Sequence, residues 1–248
     1  MLTPRTIRIA SLAAAGALAV AAAAPVSSGP VPVVKLIGTV FPSKGKIKAG
    51  TSLTVRIDTR ISSVPPGGDL VLHDLDYMFP RGAVTNGRLF PSCSVARIKA
   101  AHGVLSVCPK GSQIGSGIAT GTAVAIGVKS HGKLTLFNGP GGKSVTMNID
   151  IEHPALIDET WSGPLVKLHG KYALKLSVKI PPTLHTILGG DIVTSDIDVT
   201  VGATRVIHGV KRGYTEAVNC PVGGKGPFHA DFTFNQDTKA SADSTLAC

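Results

Sequence analysis

Aromatic side chains are scarce in this chain, with one Trp, three Tyr and seven Phe in 248 residues. Grooves that hold sugars or single-stranded nucleic acid lean on stacked rings, so this poverty argues against both, and against nucleic acid most of all. Cysteine is sparse as well. Cys93, Cys108, Cys220 and Cys248 include no Cys-x-x-Cys pair, the close spacing that zinc sites built on thiolates use, and no metal or other cofactor is expected. There is no Gly-x-Ser-x-Gly elbow and no His-Glu-x-x-His, so neither an α/β-hydrolase nor a zinc protease announces itself. No helical period runs long enough to supply βαβ crossovers. Acids are outnumbered, 15 against 25 Lys and Arg, for a formal charge of +10. Such a balance directs attention to anionic surfaces as neighbours.

What is present begins with a targeting pattern. Arg5 and Arg8 precede "IASLAAAGALAVAAAA" and then "PVSSGPVP": a cationic stretch, a small apolar run and an Ala-x-Ala site. Residues 1–23 are therefore expected to be a secretory signal peptide cleaved after Ala23. A retained anchor is the rival reading. The run is Ala-rich and shorter than the roughly 20 strongly apolar residues that span a bilayer, and no second long apolar run follows. Residues 24–32 read as an extended mature N-terminus.

From there on, alternation of period two recurs, in "SLTVRIDTR", "DLVLHDLDYMF", "SVTMNIDIEH", "YALKLSVKIP", "DIVTSDIDVTVG" and "FHADFTFN". Turn signals such as "VPPGGD", "NGPGGK" and "ILGGD" separate the runs. This predicts an all-β fold, an antiparallel β-sandwich over 33–248. One domain is the first reading, and two packed β subdomains meeting near residues 125–140 the second. One short inserted helix is predicted near residues 94–101. Ser92 or Ser94 would cap it, Val95 and Ile98 would share a face, and Gly103 would end it.

The stretch "CPKGSQIGSG" at 108–117 resembles a phosphate cradle only superficially. A Walker loop carries its Lys after the glycines and opens a helix, whereas here Lys110 precedes them and "GIATGTAVAI" alternates like a strand. A tight turn is expected, stapled through Cys108. An even cysteine count in an exported chain reads as disulfides. Of the three possible pairings, Cys93–Cys108 with Cys220–Cys248 closes the shortest loops and is the one expected.

The blocks "FPSCSVARIKAAHGVLSVCPKGSQIGSGIATG", "LTLFNGPGG" and "GYTEAVNCPVGGKGPFHADFTF" resemble a family of uncharacterised exported proteins of high-GC Gram-positive bacteria. Those proteins share Pro-x-Cys-Ser, Cys-Pro-x-Gly-Ser and Cys-Pro-x-Gly-Gly blocks. The resemblance spans about residues 36–248. Pro227 departs from it, standing where an aromatic residue usually follows the late glycines. It implies export, a β fold and disulfides, and brings no activity with it.

Four places invite chemistry. In "HDLDY", a strand puts His73 with Val71, Leu75 and Tyr77 on one face and Asp74 with Asp76 on the other, so His73 and Asp74 make a poor catalytic pair. The two acids read as an exposed edge rather than half a metal site. In "NIDIEH", Asp150 and Glu152 share the face opposite Ile149 and Ile151, the look of a half-solvated strand. Trp161 in "DETWSGP" is either a platform or a plug, and core or rim packing is preferred. Lys44, Lys46 and Lys48 alternate in "FPSKGKIKAG". They would blunt an edge strand or dock on an anionic envelope polymer or lipid surface. No catalytic residue is assigned. The expectation is an exported, non-catalytic envelope or extracellular protein of structural or binding role. The alternative is a secreted hydrolase with its site on strand-end loops.

Overall fold

The computed structural model describes residues 29–42, 47–219 and 224–247. The segment 1–23, Lys44, Lys46, Cys220 and Cys248 lie outside the described residues. The strands are β1 (Val31–Phe41), β2 (Ser52–Val64), β3 (Leu72–Pro80), β4 (Ala83–Thr85), β5 (Gln113–Ala123), β6 (Val128–Asn138), β7 (Ser144–Ile151) and β8 (Ile157–Lys167). They continue as β9 (Tyr172–Lys179), β10 (Thr186–Ile187), β11 (Gly190–Val201), β12 (Thr204–Ile207), β13 (Val210–Gly213), β14 (Thr215–Ala217), β15 (Lys225–Phe234) and β16 (Lys239–Ala247). Every pairing is antiparallel.

The expected all-β class is what the chain adopts, with nearly all of its strands in one large sheet. Its order is β16-β15-β3-β9-β8-β7-β6-β5-β11-β2-β14-β4, with β1 along β2 and β10 beside β11. Only β12 and β13 stand apart, as a hairpin. The sheet folds over so that strands far apart in that order face each other. Tyr77 of β3 meets Thr59 of β2 across the interior, hydroxyl to hydroxyl at 2.8 Å, both buried. At the ends, β1 lies against β16. Gly38 permits this, since a Cβ there would collide with Leu246 and press on Phe228 at 3.1 Å.

Alternation explains the core. In β7, Val145, Met147, Ile149 and Ile151 turn inward while Thr146, Asn148 and Asp150 turn out. One cluster gathers the inward residues of strands from both ends of the sheet, Leu36 to Leu246. Burial of this apolar area is the main stabilising term, at about 25 cal/mol per Å².

The predicted helix is present as α1 (Val95–Ala100). The Ser94 side chain accepts the Arg97 N–H at 3.2 Å, and Ile98 is fully buried. Gly103, at φ +82°, donates its N–H to the Ile98 carbonyl and ends the turn. The insert packs on the outer side of the sheet, where Lys99 pairs with Glu159 at 2.9 Å. That cover explains why Thr146 and Asn148, outward by alternation, are nevertheless buried.

Candidate binding cavity

The folded sheet does not fill its own interior. Between its two halves lies an apolar cavity of about 160 Å³, lined among others by Leu75, Leu136, Met147, Ile149, Val178 and Val199. A neighbouring cavity of about 120 Å³ is lined by Val40, Leu53, Leu165, Leu174, Tyr214 and Leu246. Five side chains, Ile57, Phe79, Val145, Leu176 and Val201, line both, so the two cavities share a wall. The larger cavity owes part of its space to β5. Where other strands send in Leu, Ile or Met, β5 offers Ala119 and Gly121. Packed interiors rarely keep voids of this size, and those that persist are apolar.

Two residues of these walls carry a buried polar atom without a partner. Trp161, on β8 beside Met147 of β7, lines the larger cavity, and its Nε1 is buried with no hydrogen-bond partner among the described residues. Tyr214, 2% exposed, lines the smaller one, and its hydroxyl is likewise buried and unpartnered. Burial pushes the Tyr214 phenol up to about 12, so it stays protonated and able to donate. A buried donor left without an acceptor costs about 1–3 kcal/mol. Tyr77 shows the usual remedy, its hydroxyl meeting Thr59.

Tyr214 is held from both sides of the chain. Its ring meets Phe90 edge-on at 5.6 Å between centroids. Next to it, Gly213 donates its N–H to Glu216 Oε1 at 2.7 Å, and Arg212 grips the same carboxylate through Nε and Nη2 at 3.0 and 2.9 Å. The Arg212 hydrogen bond, against the opposing effect of burial, holds the Glu216 carboxyl below its usual range. The smaller cavity is also lined by Arg81 and Val84, both exposed. Arg81 donates through Nε to the Gly170 carbonyl.

The residues singled out in the sequence fall in other places. Cys93 and Cys108 are disulfide-bonded, their Cα atoms 5.3 Å apart. The following stretch is a turn: Gly111 has φ +83°, Ser112 bonds back to the Pro109 carbonyl through N–H and hydroxyl, and β5 starts at Gln113. No helix opens there. Cys220–Cys248 falls outside the described residues, while Lys225 pairs with Ala247 just inside them. Lys48 is exposed in the connection from β1 to β2 rather than on a strand, so it does not extend a one-sided row.

Of the acids and histidines, His73 stacks on His185 with centroids 4.3 Å apart, and burial, with His73 close by, holds His185 below the ordinary imidazole range. Asp76 accepts from Lys175 and Ser177. Asp150, Glu152 and His153 line an open groove on the outer face with His131, away from His73 and Asp74. Among the described residues neither His131 nor His153 hydrogen-bonds an acid, and no group of three His, Cys, Asp or Glu is placed to hold a metal. Trp161 packs against the core, the plug of the two readings.

Comparison of the chain with protein-family models, with curated proteins and with solved structures returns no match. The cavity and its two partnerless donors were not foreseen in the sequence. Their signal was faint: small residues at inward positions of β5, and a tyrosine beside a short hairpin.

Proposed function

We propose that this is an exported, non-catalytic protein of the cell envelope or extracellular medium, and that its role is to bind a small apolar molecule. The observation that carries the reading is the pair of apolar cavities inside the folded sheet. Ligand sites are concave, mostly apolar and furnished with a few polar groups. The leader-like segment, the Cys93–Cys108 disulfide and the resemblance to exported proteins of high-GC Gram-positive bacteria support the location. Contact with an anionic envelope polymer or lipid surface through Lys44, Lys46 and Lys48 belongs to the same reading. The outer groove favours the hydrolase reading less, because its histidines and acids form no hydrogen-bonded base pair of the kind catalysis uses.

Cell fractionation with N-terminal sequencing tests the location: a chain starting at Ala24 in envelope or medium is expected, and a cytosolic chain starting at Met1 sinks it. A panel of ester, glycoside and peptide substrates tests the rest, with no turnover expected.

A further inference from the structure

We propose that one end of the folded sheet, where Val124, Ile126, Val128, Leu156 and Leu188 stand exposed, seats the protein on the surface of a lipid bilayer. This end lies opposite the β1–β2 connection. The inference is independent of the cavities and of Lys44, Lys46 and Lys48.

Three connections meet there. The β5–β6 connection carries Val124 and Ile126 into Val128, the β7–β8 turn carries Leu156, and the β10–β11 turn carries Leu188. Ala155 packs with Ile187 and Ile192 around Ala123, and a Cβ on Gly190 would strike Ala125, so all three gather on one small cluster. The larger side chains beside these contacts turn out instead. Leu156 is 85% exposed and Leu188 63%. Leu188 and Gly189 both have positive φ, +49° and +79°, in a hairpin turn that favours Asn-Gly or Gly-Gly. A leucine held in that strained conformation with its side chain in solvent points to a use for the side chain.

Size and position choose the occupant. Contiguous exposed apolar groups mark protein or membrane contacts. A standard protein interface takes about 20–30 residues a side and about 800 Å² per partner, more than five side chains on three turns provide, which argues against a second copy. Lipid needs no shape complement, and separate apolar tips can enter it. Position agrees. Val31 at the start of β1 pairs with Val64, and Arg60 with Asp196, so β1 enters the sheet level with the start of β11, at this same end. The apolar run of residues 9–24 precedes Val31 closely in the chain. While that run is held in a membrane, this is the end that the bilayer meets. Exposed Lys129, beside Val128, has the sign that an anionic leaflet attracts. Exposed Glu152, at the start of the β7–β8 turn, offsets it, so apolar contact rather than charge carries the binding.

The test uses protein starting at Ala24, so that the leader contributes nothing, with vesicles of equal parts phosphatidylglycerol and phosphatidylcholine. The bound fraction is read by cosedimentation in about 0.5 M salt, which screens exposed charges. Binding by the parent is expected. Leu156→Asp with Leu188→Asp alters two exposed side chains, and Asp tolerates the left-handed backbone at 188, so the melting temperature should hold while binding weakens at least tenfold. Val206→Asp with Val210→Asp, exposed valines of the β12–β13 hairpin, should bind as the parent does. So should Lys44→Gln with Lys46→Gln and Lys48→Gln. No binding by the parent, undiminished binding by the Leu156 and Leu188 double variant, or an equal loss in the hairpin variant overturns the proposal. A parent that is dimeric in sedimentation equilibrium, with that double variant monomeric and neither bound to vesicles, assigns this end to a second copy instead. None of these outcomes bears on the cavities, on turnover or on export, which are read separately.

Discussion

The stapled insert and the interior of the sheet are packed to opposite standards. In the insert, Cys93 and Ile98 are fully buried against Phe137. Asn138 ties the surroundings together. Its amide donates to the carbonyls of Gly87, Phe90 and Pro91, its backbone N–H to Ser112, and its carbonyl accepts from Cys93. Its Oδ1 alone is buried without a partner. In the interior, strands with continuous apolar faces leave two cavities open and two donors idle. Polar connectivity and a covalent bond define the small region, while the large apolar one retains slack. Slack of this kind is a cost to stability that a bound molecule can offset.

The largest way to break the contrast is to spoil the insert. Asn138→Ala strands three carbonyls and opens a hole, and should lower unfolding free energy by about 4 kcal/mol in denaturant titrations. A loss under 1 kcal/mol would mean that the loops hold without it. Removing the disulfide by Cys93→Ala with Cys108→Ala should cost about 3 kcal/mol, as expected for a closed loop of 15 residues. Non-reducing peptide maps of the parent should show that link and the 220–248 link.

Filling the interior should act in the other direction. Ala119→Leu places a larger side chain in the larger cavity and should add about 1 kcal/mol of stability, read by denaturant titration. Destabilisation would show that the cavity has no spare volume at β5. The smallest effect concerns acid. Glu216 has a lowered pKa in the folded state, so its contribution is present above the ordinary carboxylate range and is lost as pH falls through the lowered value. Glu216→Gln should therefore lower stability at neutral pH and flatten the acid limb of the profile below about pH 4.5, its difference from the parent vanishing in acid. An unchanged acid limb would assign that limb to other carboxylates.

The all-β class was legible because a strand writes its two faces into the sequence at period two, as Ile149 and Ile151 against Asp150 show. The helix was legible through its cap at Ser94 and its stop at Gly103, and the Cys93–Cys108 staple through proximity along the chain. The His73–His185 stack and the Thr59–Tyr77 hydrogen bond were not, since each joins residues that only the folding-over of the sheet brings together. The cavities are harder still. Empty volume depends on how far apart opposing strands are held, and Ala119 or Gly121 reads in isolation as an ordinary small residue. Of the three alternating lysines only Lys48 is among the described residues, exposed in the connection from β1 to β2.

The seat of β1 is built from the far end of the polypeptide. Gly38 lies on Leu246 and Phe228, which belong to the last two strands made. Pairings this distant in sequence form late and slowly. A nascent chain carrying only β1 to β14 has no β16 for its first strand to rest against, so the barrel-like closure waits for the C-terminus. If the chain is exported unfolded, as proposed, its interior can close only after β15 and β16 have crossed.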